Sequence, residues 1–160
     1  MSDFTIRDAR WPEDEAATVS FIDGLQKFEY QFEPNRRIDP HVGADYFREL
    51  MKRVAENEGR VFVAEEDGAA VGWAVFLMEQ QEVYVVESDR RTGYIAELFV
   101  DESARGTGVG KALIAACETH ARAKGLNVLM IGVLPKNVRA RAVYHAAGFS
   151  PYAEQLRKRL

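Results

Sequence analysis

The sequence contains little cysteine, little histidine and no long apolar run. Its one cysteine, Cys117, excludes an internal disulfide bond, and its three histidines form no ligand-spaced cluster with cysteine or carboxylate, so we expect no metal. No stretch of about 18 apolar residues is present, which predicts no membrane span. The first residues, MSDFTIRDARWPEDE, are too acidic and polar for a signal peptide. From these absences we expect a cytoplasmic protein.

The sequence also lacks a strong excess of either charge. The formal net charge is -4, and no basic run exceeds a few residues, so we expect no nucleic-acid partner. Apolar residues make up 47% and charged residues 29% of the 160 residues, which is ordinary for a globular protein. We therefore expect a single domain over residues 1–160 with its own hydrophobic core.

Hydrophobic periodicity predicts a mixed α/β fold. Predicted strands show apolar residues in alternation or in short continuous runs, whereas predicted helices repeat them every three to four residues. Gly24 is expected to bend or end the first helix, residues 29–40 to form a loop and residues 87–93 a turn. The predicted strands are 4–7, 60–64, 71–78, 94–100, 127–133 and 152–160, and the predicted helices are 11–28, 46–55, 109–123 and 140–147. This order predicts one mixed, largely antiparallel sheet flanked by helices, with a βαβ crossover.

A glycine-rich loop, Arg105–Lys111, joins the strand 94–100 to the helix 109–123. Its three glycines, at alternate positions, leave backbone amides uncovered at a helix N-terminus, where the amides and the helix dipole favour an anion. The loop is therefore either a phosphate cradle or only a tight turn that needs positive φ. A P-loop does not fit because Ala112 stands where a magnesium-binding hydroxyl is required, and the G-x-G-x-G spacing does not fit a dinucleotide fingerprint.

The loop and a second motif downstream resemble the GNAT superfamily of acetyl-CoA-dependent N-acetyltransferases. Arg105-x-x-Gly108-x-Gly110 matches the superfamily's R/Q-x-x-G-x-G/A loop, and it follows a strand that ends in ELFV. The segment NVRARAVYHAAGF, residues 137–149, matches the second motif at the expected separation. The resemblance extends over nearly the whole chain. It implies a GNAT-like fold with a splayed central strand pair, acetyl-CoA as the co-substrate and no metal.

The resemblance implies where acetyl-CoA binds. Arg105 would support the glycine loop or pair with a phosphate. The strand Leu98, Phe99 and Val100 would present backbone groups to the pantetheine amides, as an added strand does. Asn137 would contact the pantetheine arm, or would only cap its helix. The pyrophosphate would lie on the loop residues, which are Gly106, Thr107, Gly108, Val109, Gly110 and Lys111.

Two residues are candidates for catalysis, Tyr144 and Glu97. By resemblance Tyr144 is the general acid that gives a proton to the leaving thiolate, although its apolar helical stripe is also typical of a residue that only packs. Glu97 lies inside an otherwise apolar strand, where a carboxylate is costly unless it faces a substrate or a partner. Glu97 would take a proton from the amine through water, hold a cationic amine, or simply face solvent. The resemblance requires no base, because many members deprotonate the amine through water alone.

The acceptor is expected to bind between the first two helices, as in the superfamily. Aromatic residues there would wall a pocket and acidic residues would attract an amine, and the candidates are Phe28, Glu29, Tyr30, Phe32 and Glu33. Arg36 and Arg37 would pair with those acids or with CoA phosphates. Because the ELFV strand is similar to that of diamine acetyltransferases, we predict acetyl transfer to a primary amine of a small cationic molecule or polyamine, by direct attack of that amine on the thioester of acetyl-CoA.

Three further questions stay open at this point. A peptide or protein amine is an alternative acceptor. A non-catalytic acyl-CoA-binding sensor is an alternative from another functional class. Members of the superfamily often pair, so the resemblance also implies a homodimer as a candidate oligomeric state.

Overall fold

The computed structural model describes residues 3–160, whose strands form one five-stranded sheet in chain order. The first four strands pair antiparallel with their neighbours, and the fifth pairs parallel with the fourth. The strands are β1 Phe4–Asp8, β2 Arg60–Glu66, β3 Ala69–Gln80, β4 Arg91–Val100 and β5 Leu129–Ile131. The predicted fold class, a mixed and largely antiparallel sheet flanked by helices, is confirmed.

Helices cover both faces of this sheet. They are α1 Glu15–Tyr30, α2 Val42–Glu56, the single-turn α3 Glu87–Arg90, α4 Val109–Ala123 and α5 Val138–Ala146, with a 3-10 turn at Glu102–Ala104. Of the helices found in residues 3–160, none is both long and apolar enough to cross a membrane. The predicted turn over residues 87–93 is in fact α3 followed directly by the start of β4.

Two hydrophobic cores lie on opposite faces of the sheet. Leu50 of α2 packs with Val63 and Trp73 on one face, and Leu113 of α4 packs with Phe76 on the other. Successive residues of β3 alternate between the two cores, as the period of a strand requires. Because both faces are covered, β2 and β3 read as nearly continuous apolar runs rather than as a polar–apolar alternation.

The centre of β4 contains one extra residue. Val75 of β3 lies opposite Glu97 and the next residue, Phe76, lies opposite Ile95, so Ala96 forms a bulge between two paired positions. A bulge interrupts the alternation of side chains along a strand. Ala96 packs on the core beneath α1 and α2, and Glu97 also points to that side, where strict alternation would turn it towards α4.

β4 and β5 part at the bulge. Their pairing ends where Ile95 lies opposite Ile131, although β4 continues to Val100. The predicted strand over residues 127–133 therefore forms only over Leu129–Ile131, because the diverging chain has no strand beside it within residues 3–160. Its side chains are half-buried rather than enclosed. The expected splayed pair of central strands is present.

The prediction of a final strand over residues 152–160 is wrong. Each of these residues is exposed, and the segment forms no helix or strand within the part of the chain that is described. A strand needs a ladder partner, and this charged segment is solvated instead. Its Arg157 forms an ion pair with Glu33, which follows α1, with Nη2 and Oε1 2.7 Å apart.

α1 is longer than the sequence predicts. It continues to Tyr30, so Gly24 does not end it, and Glu29 belongs to the helix rather than to the following loop. Gly24 permits a close approach, because a Cβ there would lie 2.9 Å from the Cζ atom of Phe99. The middle of α1 thereby lies directly against the end of β4.

Asp14 anchors the start of α1 to the sheet. Its carboxylate, 5% exposed, accepts hydrogen bonds from both terminal nitrogens of Arg7 on β1, at 2.7 and 3.0 Å, and from the backbone N–H of Arg10 at 2.6 Å. The Arg7 hydrogen bonds hold the pKa of Asp14 below its usual value despite burial. The ionised carboxylate therefore stabilises the fold at neutral pH, and this contribution is lost as pH falls through the lowered pKa.

Replacing Asp14 with Asn is expected to lower the free energy of unfolding at neutral pH by about 2 kcal/mol, because the half-buried guanidinium of Arg7 then keeps only Glu65 as a charged partner within residues 3–160. The difference from the parent protein should shrink at acidic pH, where Asp14 itself becomes protonated. Urea unfolding at several pH values measures both effects. The exposed neighbour change Glu13→Gln is the control, and a difference that does not vary with pH would contradict the ion-pair explanation.

Candidate active site

A cavity of about 780 Å³ opens where β4 and β5 part. Residues of α1, α2, β4, the glycine loop and α5 line it. One continuous space therefore connects the glycine loop with the region between the first two helices. This is the arrangement that a site for two substrates requires.

The glycine loop leaves open space in front of α4. Gly106 and Gly108 have φ angles of +81° and +98°, which side chains with a Cβ rarely adopt. Gly108 is the N-cap of α4, and within residues 3–160 no side chain caps this helix. A Cβ at either glycine would meet no atom of the described chain within 4 Å. The exposed amides of the first turn thus suit a pyrophosphate, and the loop fits the end of a CoA molecule.

Arg105 supports the loop from behind. Its Nε donates a hydrogen bond to the carbonyl of Val100 at 3.0 Å. Its guanidinium lies over the rings of Phe28 and Phe99, 5.8 and 5.7 Å from their centres. Of the two roles expected of Arg105, support of the loop agrees with these contacts.

The remaining loop residues face different ways. The Thr107 hydroxyl donates to the Ala104 carbonyl at 2.7 Å, so it turns back onto the 3-10 turn rather than into the cavity. Val109 is buried in the core beneath α4, and only its backbone amide is at the helix start. Gly110 and the exposed Lys111 line the cavity.

The last residues of β4 present backbone groups to the gap. Val100 accepts the Arg105 hydrogen bond on the side away from β3, whereas Phe99 lies opposite Trp73 in the β3 ladder. Backbone groups alternate in direction along a strand, so those of Leu98 point into the gap with those of Val100. Leu98 therefore presents a backbone N–H and carbonyl to an extended amide-containing chain.

α5 brings Asn137 and Tyr144 to the cavity. Asn137 caps the helix, because its Oδ1 accepts from the backbone N–H of Ala140 at 3.1 Å, and it also lines the cavity. Tyr144 lies two turns further on, half-buried against Phe149. Burial, with the negative charges of Glu29 and Glu97, raises the pKa of Tyr144 to about 12. Its hydroxyl is consequently protonated throughout the physiological range and able to donate a proton.

Glu97 is a buried carboxylate in the cavity wall, only 8% exposed, so the solvent-facing alternative for it is wrong. Its Oε1 accepts a hydrogen bond from the hydroxyl of Tyr46 at 2.9 Å, whereas its buried Oε2 has no partner within residues 3–160. Burial raises the pKa of Glu97 to about 7, against the lowering effect of the Tyr46 hydrogen bond. A carboxyl group poised near neutral pH, with one free oxygen, is suited to accept a proton or an ammonium group.

The five predicted acceptor residues do not all reach the cavity. Phe28 and Glu29 line it, and Glu29 forms an ion pair with Arg36 at 2.7 Å. Tyr30 is exposed at the end of α1. Phe32 stacks edge-on against Phe28, and Glu33 is paired with Arg157, so both lie outside the cavity wall.

α2 supplies a cavity face that sequence reasoning missed. Four residues on one face of this helix, spaced three or four positions apart around its turns, line the cavity, and they are Val42, Asp45, Tyr46 and Glu49. Of these four residues, Tyr46 is the one whose side chain donates a hydrogen bond to Glu97. The sequence offers one sign of this contact, because a tyrosine on the buried stripe of a helix needs a hydrogen-bond partner for its hydroxyl. The sequence does not identify that partner, which lies 51 residues away.

The α1–α2 side of the cavity contains more acidic than basic side chains. The acids are Glu29, Asp45, Glu49 and Glu97, and the bases are Arg36 and Arg37. Both arginines are already engaged, Arg36 with Glu29 and Arg37 with Asp39 and Asp45. This side of the cavity therefore favours a positively charged ligand.

Cys117 and His120 are packing residues of α4. Cys117 is fully buried, and burial raises the pKa of its thiol to about 12, so it is not an activated nucleophile. The ring of His120 packs edge-on against Phe76, with centroids 4.9 Å apart. Among residues 3–160, no three His, Cys, Asp or Glu side chains form a group that could hold a metal ion.

Residues 22–149 match the model of the Acetyltransferase (GNAT) family. The chain belongs to this family. The GNAT family uses acetyl-CoA.

Individual known proteins agree with this assignment. An aminoglycoside N(6')-acetyltransferase type 1 from Stenotrophomonas maltophilia is 34% identical over 106 residues, which cover 66% of this chain and 69% of that enzyme. A mycothiol acetyltransferase from Thermobispora bispora is 31% identical over 114 residues, which cover 69% of this chain but only 38% of that protein. The fold matches that of a predicted acetyltransferase solved with acetyl-CoA, from Clostridium acetobutylicum, with a TM-score of 0.74, 21% identity and coverage of 98% and 96% of the two chains.

Gly108→Val is expected to weaken CoA binding by about 100-fold, which corresponds to about 2.7 kcal/mol or the loss of one strong hydrogen bond to a charged group. The β-branched side chain forces the residue out of its positive φ and covers the amides that face the ligand. Isothermal titration with CoA measures the loss.

Gly125→Val is the matched control, because Gly125 has a φ of +73° but lies beyond the other end of α4. Gly125→Val should lower the thermal unfolding temperature about as much as Gly108→Val does, and it should leave the affinity for CoA unchanged. Equal loss of CoA binding in both variants, or none in Gly108→Val, would contradict a phosphate cradle at this loop.

Proposed function

We propose that this acetyltransferase transfers the acetyl group of acetyl-CoA to a primary amine of a small cationic molecule, by direct attack when both substrates are bound. The observation that supports this best is the buried Oε2 of Glu97, which lines the cavity and has no hydrogen-bond partner in residues 3–160. A buried carboxylate oxygen without a donor is costly. A protonated amine supplies that donor.

The charge of the cavity wall supports a cationic acceptor. Glu29 and Asp45 are neutralised by arginines, but Glu97 and Glu49 are in no ion pair within the described residues. A substrate with more than one ammonium group satisfies both of these carboxylates, so we include polyamines and amino sugars in the acceptor class. The similarity to an aminoglycoside acetyltransferase supports the same class.

The other part of the cavity fits the acyl donor. The amides at Gly106, Gly108 and Gly110 would hold the pyrophosphate, and the backbone of Leu98 would hold the pantetheine arm. Acetyl-CoA supplies the acetyl group as a thioester, whose sulfur needs a proton on leaving. Asn137 lines the same wall and caps α5, so its contact with the arm adds to a structural role.

Glu97 and Tyr144 divide the proton transfers between them. Glu97, with a pKa of about 7, accepts the proton that the attacking amine must lose, directly or through a water molecule. Tyr144, with a pKa of about 12, stays protonated and donates from its hydroxyl to the leaving sulfur. At neutral pH about half of the Glu97 carboxyl groups are therefore ionised and able to accept a proton, whereas the Tyr144 phenol stays protonated and able to donate one.

The alternative acceptor is an amine of a peptide or protein. The buried position of Glu97 favours a small amine that enters the cavity over the terminus of a bulky chain. A homodimer and a cytoplasmic location remain predictions from the family resemblance and from the sequence. Light scattering in solution tests the first of these.

A panel of polyamines, amino sugars, amino acids and peptides should separate the acceptor classes. We expect release of the CoA thiol, detected with a thiol reagent, to be fastest with small amines that bear at least two positive charges. Glu49→Gln should raise KM for dications and leave monoamines unaffected, because only the second ammonium group loses a partner. Transfer confined to peptides would contradict the small-amine proposal, and CoA binding without turnover across the panel would support a sensor instead.

Tyr144→Phe should lower kcat by about 100- to 10,000-fold, the range for loss of a general acid. The affinity for CoA should remain, because the ring still packs against Phe149. Steady-state kinetics and CoA titration of the same preparation measure the two quantities. Tyr152→Phe is the control, since Tyr152 is 72% exposed and lies outside the cavity wall, and unchanged turnover in Tyr144→Phe would show that Tyr144 only packs.

A further inference from the structure

Tyr46 makes the one side-chain hydrogen bond that the Glu97 carboxylate has within residues 3–160. The two residues come from different layers, Tyr46 from α2 and Glu97 from the bulge of β4. The ring of Tyr46 packs on the core beneath α1 and α2 and also lines the cavity. Packing of the ring therefore holds the Tyr46 hydroxyl in position beside Glu97.

We propose that Tyr46 is a positioning residue for the transfer reaction, whose hydroxyl binds one oxygen of Glu97 so that the other faces the incoming amine. The proposal rests on the function proposed above. The last torsion of a glutamate side chain is broad, so packing alone does not fix the rotation of a carboxylate. A hydrogen bond to Oε1 fixes this rotation, which leaves Oε2 as the acceptor that faces the cavity.

Tyr46 acts as a donor and not as a second acid. Burial and the negative charge of Glu97 raise the pKa of Tyr46 well above its usual value, so the phenol keeps its proton at every pH at which the enzyme works. A neutral donor that faces a carboxylate stabilises the ionised form of that carboxylate. Tyr46 therefore offsets part of the burial that disfavours the Glu97 charge.

Other charged and titratable groups near Glu97 act on it without a direct hydrogen bond. Glu29 of α1 disfavours the Glu97 charge, whereas Arg53 of α2 and Arg36 of the α1–α2 loop favour it. Tyr144 of α5 is close enough for the Glu97 charge to raise the pKa of its phenol. Arg53 also acts on the Tyr46 phenol, whose pKa it lowers, so it faces both members of the Tyr46–Glu97 pair.

Tyr46→Phe should raise the pKa of Glu97 by about one pH unit, as loss of a hydrogen bond to a charged group does. Activity that needs the Glu97 carboxylate rises with pH, so the acidic limb of the kcat/KM profile should move to higher pH. For a parent midpoint near 7, the ionised fraction at pH 7 falls from about one half to about one tenth, so activity there falls about five-fold and recovers in alkali.

The experiment compares the parent protein, Tyr46→Phe and the control Tyr84→Phe. Tyr84 is 84% exposed on the loop after β3, so its change should leave both midpoint and rate unaltered. In a Glu97→Gln background, the further change Tyr46→Phe should move no midpoint, because the two residues act as one unit. Thermal unfolding of each variant checks that the fold is retained.

Carbon-13 NMR of the glutamate carboxyl groups in the free protein measures the Glu97 pKa without any substrate. The Glu97 signal is assigned by its disappearance in Glu97→Gln. A higher Glu97 pKa in Tyr46→Phe together with a shifted rate profile supports the proposal. An equal loss of rate at every pH with no change in the Glu97 pKa would reduce Tyr46 to a packing residue. A changed pKa in a protein that acetylates no amine would leave the Tyr46–Glu97 contact in place and reject the proposed function instead.

Discussion

The parting of β4 and β5 after Ile95 is the constraint on which the site depends. Strand pairing satisfies backbone donors and acceptors, and where pairing stops these groups must find other partners or face a ligand. Beyond Ile95, the Val100 carbonyl bonds to Arg105 and the groups of Leu98 face the gap. The same separation opens the cavity that reaches from the glycine loop to α2.

The bulge at Ala96 adds a second consequence to this separation. It turns Glu97 towards α2 while Leu98 and Val100 still pack towards α4. In the proposed function, one short stretch of strand thus serves both substrates, with its backbone directed to the acyl donor and its one acidic side chain directed to the acceptor. Neither would be available to the same cavity if the strand alternated regularly.

Several features were predictable because they are local. The glycine loop, the helix that follows it and the cap at Asn137 depend on residues within a few positions of one another, and each has a backbone requirement that few other residues meet. The two-sided apolar runs of β2 and β3 also indicate a covered sheet. The strand expected over residues 152–160 failed for the opposite reason, since a strand exists only when a distant segment pairs with it. The close approach of α1 to β4 at Gly24 likewise depends on Phe99, which lies 75 positions later and fills the space that a side chain would take.

By itself the sequence determined the family and the candidate phosphate-binding loop, acid and base, because these reside in short motifs of fixed spacing. Only the tertiary structure decided which acidic and aromatic residues meet. It brought Phe28 and Glu29 to the cavity, left Tyr30, Phe32 and Glu33 outside it and joined Tyr46 to Glu97. The reason is that the burial of Glu97 and its hydrogen bond with Tyr46, 51 residues away, depend on the packing of α2 against a bulged strand. No local sequence pattern predicts that packing.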